Sequence, residues 1–152
     1  EGKVSYKKTA NLANFLIDEG CYEVSLGDTV GYGTPLETQK LINEVSNKIN
    51  TSKIAMHLHD TYGQALANIL ASMQMGISSF DTSVGGLGGC PYARGASGNV
   101  ATEDVIYMLN GMGVDCGVDL QKVLVASKFI YKVLNRNIAS KTASAILSKE
   151  TE

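Results

Sequence analysis

The sequence predicts an α/β fold with a parallel sheet. Short apolar segments alternate with amphipathic helical ones along the 152 residues. An Asp-Thr pair closes one apolar segment after another: Asp28-Thr29-Val30-Gly31, then Asp60-Thr61-Tyr62-Gly63, with Asp81-Thr82 as a weaker third copy. Strands that alternate with helices pair in parallel, and polar residues at their C-terminal ends are where such folds place chemistry.

Residues 7–19 carry Ala10, Ala13, Leu16 and Ile17 at helical spacing, and Gly20 stops the run. Tyr22 to Leu26 reads as a strand ending at Gly27-Asp28. Thr34-Pro35-Leu36-Glu37 opens a helix, with Thr as N-cap, Pro at the first helical position and Glu closing a capping box. That helix buries Leu41, Ile42, Val45 and Ile49. Lys53 to His59 is the next strand, and the following helix carries Ala65, Leu66, Ile69, Leu70 and Met73. A short strand covers Ser78 to Ser83, and a Gly-rich segment runs from Gly85 to Asn99. A helix opens at Thr102-Glu103-Asp104, where two acids suit the helix dipole. The last strong helix, 118–134, places Leu120, Val123, Leu124, Ser127, Ile130 and Leu134 on one stripe. Beyond Asn135 the pattern fades into a Ser/Thr/Ala-rich tail. Residues 1–134 form the expected main domain and 135–152 a C-terminal tail in which part of the chain can be ordered.

Hydrophobic residues make up 44% and charged residues 18%, the balance of a chain that buries a core. A net charge of −2 gives no electrostatic case for nucleic acid. The densest basic stretch, Lys122 to Arg136, is interleaved with apolar residues and reads as a solvated helix face. No apolar run approaches the roughly 18 residues of a membrane span, so no membrane partner is expected. Cys21, Cys90 and Cys116 match no zinc spacing, and an odd count fits free thiols in a reducing compartment. The chain starts at Glu1-Gly2 without an initiator Met, as a chain cut from something longer would.

His57 and His59 are the only histidines. At i and i+2 on a strand their imidazoles share a face, with Leu58 opposite, which suits two metal ligands as well as two structural histidines. Capping of the next helix is the expected role of Asp60 and Thr61. In Gly85-Gly86-Leu87-Gly88-Gly89-Cys90-Pro91-Tyr92, glycines surround one thiol. The segment lacks the Gly-Lys-Ser/Thr ending of a phosphate loop, and a mobile loop presenting Cys90 fits it better. Asn99, nine residues past Cys90, precedes a strand or helix start and reads as a cap. Asp28 is a candidate polar neighbour of the site.

Three segments together resemble hydroxymethylglutaryl-CoA lyase: His57 to Ala65, Ser83 to Tyr92, and Gly95 to Asp104. Glu23 to Gly31 and Gly33-Thr34-Pro35 extend the likeness, which runs from Glu1 to about Leu134. One departure is Gly85, where the family usually has Ala, a change expected to loosen the loop slightly. Arg94 falls at a variable position. The resemblance implies the C-terminal half of a (β/α)8 TIM barrel, strands five to eight, with a C-terminal helical extension. It implies a divalent cation, Mg²⁺ or Mn²⁺, on His57, His59 and Asn99, and Cys90 as the catalytic thiol. The implied substrate is an acyl-CoA, 3-hydroxy-3-methylglutaryl-CoA, cleaved to acetyl-CoA and acetoacetate. The full-length enzyme would be a homo-oligomer, cytoplasmic in a bacterium or in the mitochondrial matrix of a eukaryote. A metal-binding Asp and a substrate-binding Arg of the family's first strand have no counterpart in this chain. Two other readings compete. Related acyl-transfer synthases and aldolases share the strand His-x-His, but the synthases typically follow it with Asn-Asp and lack the Gly-Gly-Cys-Pro-Tyr loop. A non-catalytic fragment that needs its N-terminal half would keep every motif seen here.

Overall fold

The computed structural model describes residues 3–89 and 97–149. It forms two compact units, residues 1–81 and 82–152.

The first unit holds α1 (Tyr6–Asp18), β1 (Val24–Asp28), α2 (Pro35–Ser46), β2 (Ile54–Leu58), α3 (Ala65–Gln74) and β3 (Ser79–Asp81). The three strands are parallel in the order β1-β2-β3, with Gly27 beside His57 and His57 beside Asp81. In the central strand Ile54, Ala55, Met56 and Leu58 are all buried, as expected for a strand covered on both faces. β1 starts two residues later than the sequence suggests. Gly20 takes φ +102 and the Cys21 N–H donates to Leu16 O at 3.0 Å, so the chain is still closing α1 there. α2 opens as expected: the Thr34 N–H donates to Glu37 Oε2 at 3.3 Å, and Ile42, Val45 and Ile49 are buried.

The second unit holds a 3₁₀ turn (Val84–Gly86), α4 (Thr102–Gly111), α5 (Leu120–Leu134) and α6 (Lys141–Ser148). The fourth strand implied by four strand–helix units is reduced to a parallel bridge between Ser83 and Ala101. Two bonds hold it, Ser83 N–H to Val100 O (3.1 Å) and Thr102 N–H to Ser83 O (2.9 Å). Gly98 at φ +94 on one side and the start of α4 on the other leave no length for a ladder.

On α5 the buried positions are Leu124, Ser127 and Tyr131, while Leu134 is exposed. Spacings of three and four follow the helical period, and Leu134 is the last residue before left-handed Asn135. The tail is more ordered than its composition suggests. Asp104 Oδ1 accepts from the hydroxyl of Ser140 and the N–H of Thr142, both at 2.8 Å, and Ser140 caps α6. Asp104 thus ties α4 to α6, a specific role beyond the helix dipole.

Candidate active site

Both histidines sit at the C-terminal end of the central strand. His57 is the fourth residue of β2, and His59 follows the strand with its N–H donating to Asp28 O at 3.2 Å. Strand alternation puts the two rings on one face, with centroids 5.2 Å apart and planes at 53°. His59 is buried, whereas about a third of the His57 side chain is exposed.

Asp81, next to His57 in register, brings its Oδ2 to 3.6 Å from His57 Nδ1 and accepts a 2.7 Å bond from Ser25 Oγ on β1. Three strands therefore contribute Ser25, His57 and Asp81 to one patch. The carboxylate faces the Nδ1 edge of the ring and leaves the Nε2 edge clear of it. The sequence marked Asp81 only as a weak repeat. Its place beside His57 follows from sheet register.

Asp60 behaves as expected, accepting from the Ala65 N–H at 2.9 Å at the start of α3. Thr61 does not share that role: its hydroxyl is buried without a hydrogen-bond partner among the described residues. Asp28 is committed to its own loop, accepting from the N–H groups of Gly31 (2.9 Å), Tyr32 (3.2 Å) and Gly33 (2.7 Å). Asn68, buried on α3, donates to Gly33 O at 2.9 Å and fixes the same loop from beneath. Tyr32 and Tyr62 then stack at 5.1 Å on the exposed ends of the loops after β1 and β2, a pairing no sequence period reveals.

In the second unit, Asn99 Nδ2 donates to Leu87 O at 2.9 Å. Cys90 and Arg94 lie outside the described residues. Glu103 was the larger surprise. It is fully buried, takes the Gly85 N–H on both carboxylate oxygens (3.0 and 2.9 Å), and receives the Ser127 hydroxyl.

Burial raises the Glu103 pKa above the ordinary carboxylate value, against the pull of the Glu103 and Gly85 backbone N–H groups. A folded-state pKa above the unfolded one means the native state binds the proton more tightly. The stability this confers is full below the unfolded value and is lost as pH rises through the folded one. Glu103→Gln, neutral throughout, is expected to lose less stability over that rise than the parent, in urea unfolding across a pH series. Equal slopes would show that Glu103 carries no such shift.

Among the described residues no three His, Cys, Asp or Glu side chains converge as a metal site. Of the residues the resemblance implies as ligands, His57 and His59 lie together in the first unit, and Asn99 belongs to the second.

The HMGL-like family model matches residues 1–130, across both units. The chain belongs to the HMGL-like family. Members of this family are generally metal-dependent. Over 145 residues it is 57% identical to the mitochondrial hydroxymethylglutaryl-CoA lyase of Mus musculus, covering 95% of this chain and 45% of that protein. With the cytoplasmic 3-hydroxy-3-methylglutaryl-CoA lyase of the same species it shares 53% over 152 residues, all of this chain and 44% of the relative. The solved hydroxymethylglutaryl-CoA lyase from Pseudomonas aeruginosa superposes with a TM-score of 0.95 at 51% identity, over 98% of this chain and 50% of that one. This HMGL-like chain thus spans a little under half the length of the curated relatives it matches. Its architecture is the parallel α/β fold expected from the sequence, half of a (β/α)8 barrel.

Proposed function

We propose that this chain carries part of the active site of a hydroxymethylglutaryl-CoA lyase, cleaving 3-hydroxy-3-methylglutaryl-CoA to acetyl-CoA and acetoacetate. The observation that carries the reading is the convergence of His57 and His59 at the end of β2, in a chain more than half identical to proteins of that name.

The chemistry of the paired imidazoles suits part of a divalent cation's shell. His57 and His59 offer nitrogen, and Asn99, whose amide nitrogen is engaged with Leu87, offers its oxygen. All three are neutral ligands, so a carboxylate from elsewhere is needed to hold Mg²⁺ or Mn²⁺ firmly. A cation held there would supply Lewis acidity that favours ionisation of the substrate's tertiary hydroxyl. In the cleavage the hydroxyl proton passes to a base of the complete site, C3 becomes the ketone of acetoacetate, and the electron pair of the broken C2–C3 bond stays on C2 as the acetyl-CoA enolate. Cys90 is the assigned proton donor to that carbon. The acyl-CoA substrate is the partner, the complete enzyme is a homo-oligomer, and neither nucleic acid nor membrane enters. The compartment is the cytoplasm of a bacterium or the mitochondrial matrix of a eukaryote. Residues 1–134 form the barrel portion and 135–152 the extension.

His57→Ala and His59→Ala are each expected to raise the Mg²⁺ concentration for half-maximal rate in a family-length protein. Asn99→Ala gives a milder version, since an amide oxygen is a weaker ligand than imidazole. Asp81→Asn, which removes the carboxylate behind His57, shifts the same midpoint by about 10–100-fold. Unchanged activation curves in the histidine variants, with the fold intact, would remove the metal assignment.

A further inference from the structure

The segment leading to Cys90 is held at its root by a residue far along the chain. Gly85 lies in the 3₁₀ turn at φ +63, in the left-handed region that favours glycine. Its N–H is taken by Glu103, and its C=O accepts a 2.8 Å bond from the hydroxyl of Tyr131 on α5. Both polar groups of one residue are therefore clamped, from two different helices. Tyr131 is 6% exposed, so its ring is buried beside this turn.

A methyl group on Gly85 would fall inside van der Waals contact of Tyr131 Cε2, with Cζ at 3.1 Å and Cδ2 at 3.2 Å. The ring cannot move aside without losing its hydroxyl bond to the Gly85 carbonyl. Glycine at 85 and tyrosine at 131 are thus one fitted unit. The expected loosening of the loop by Gly85 does not follow: the missing methyl makes room for a ring that grips the same backbone.

We propose that Tyr131 is a positioning residue for the stretch Val84–Gly89 that precedes Cys90, and that Gly85 is the residue that admits it. The assignment of a catalytic role to that loop rests on the lyase reading above; the pairing itself does not. Two residues beyond Gly85, Leu87 O is bonded by Asn99. The Tyr131 clamp therefore acts on the stretch that also carries the Asn99 contact, three residues before Cys90.

The test is a double-mutant cycle in a family-length protein, read by melting temperature, steady-state kinetics and the rate of Cys90 alkylation. Cys21 and Cys116, both exposed free thiols, are first replaced by Ser so that labelling reports Cys90. Gly85→Ala is expected to lower the melting temperature. Adding Tyr131→Ala should then cost less than the sum of the two single losses. Tyr131→Phe, which keeps the ring and deletes the clamp, is expected to change the alkylation rate and to lower kcat by about tenfold with KM unchanged. Additive losses, or a Tyr131→Phe protein with parental alkylation rate and kcat, would overturn the proposal. If Gly85→Ala fails to fold, recovery of a folded protein on adding Tyr131→Ala supports the pair, and failure of that rescue counts against it. If the parent shows no lyase activity, the functional reading fails, while melting temperature and alkylation still decide the pairing.

Discussion

The 152-residue chain alone is expected to release no measurable acetoacetate from 3-hydroxy-3-methylglutaryl-CoA, and to gain turnover when the N-terminal half of a family member is supplied. One argument is chemical. His57, His59 and Asn99 are neutral, and two imidazoles with one amide hold a hard cation poorly without a carboxylate. The resemblance places that carboxylate, and the substrate-binding Arg, on a first strand that has no counterpart here. The other argument concerns surface. Among the described residues β1 is paired on one side only, and beside it lies a cavity of about 540 Å³ lined in part by Tyr6, Leu26, Leu41, Met56 and Leu58. An open strand edge next to apolar surface pairs with other chains unless it is covered. The chain alone is therefore expected to self-associate on size exclusion, and the added half to convert it to a compact complex. A monodisperse, active chain would require a site built differently.

Replacing Cys90 by Ala in a family-length protein is expected to lower kcat by at least about 10²-fold, the range usual for a positioned proton-transfer group. The thiol carries a transferable proton, and nothing in Ala replaces it. Melting temperature measured alongside separates the readings. A large kcat loss at unchanged stability supports catalysis, whereas an active variant, or one that merely unfolds, makes Cys90 structural.

The sheet and the helix starts were legible because period and capping are local. Thr34-Pro35-Leu36-Glu37 needs only its own residues to begin α2, and His57-Leu58-His59 needs only strand alternation to place two rings together. Residues whose partners lie far along the chain were not legible. Asp81 meets His57 through register and Ser25 across two strands, 56 positions apart in sequence. Glu103 looked like an ordinary first-turn acid, yet its carboxylate is spent on Gly85, 18 positions earlier. Tyr131 falls outside the stripe read for its helix, and its hydroxyl bonds Gly85 O, 46 positions earlier. Periodicity correctly favoured burial of Leu124 and Ser127 but missed Tyr131, because an aromatic ring with a polar tip fits a buried site only where a carbonyl waits for it.

The central claim is carbon–carbon cleavage of one acyl-CoA by a site built on His57 and His59. The direct measurement joins this chain to the N-terminal half of the Pseudomonas aeruginosa lyase, supplies 3-hydroxy-3-methylglutaryl-CoA and Mg²⁺, and quantifies acetyl-CoA and acetoacetate together. Equimolar release of both products, lost in the His57→Ala, His59→Ala double variant, is the predicted result. A compact complex that leaves the substrate intact, or one that cleaves it equally well without the two imidazoles, would contradict the account.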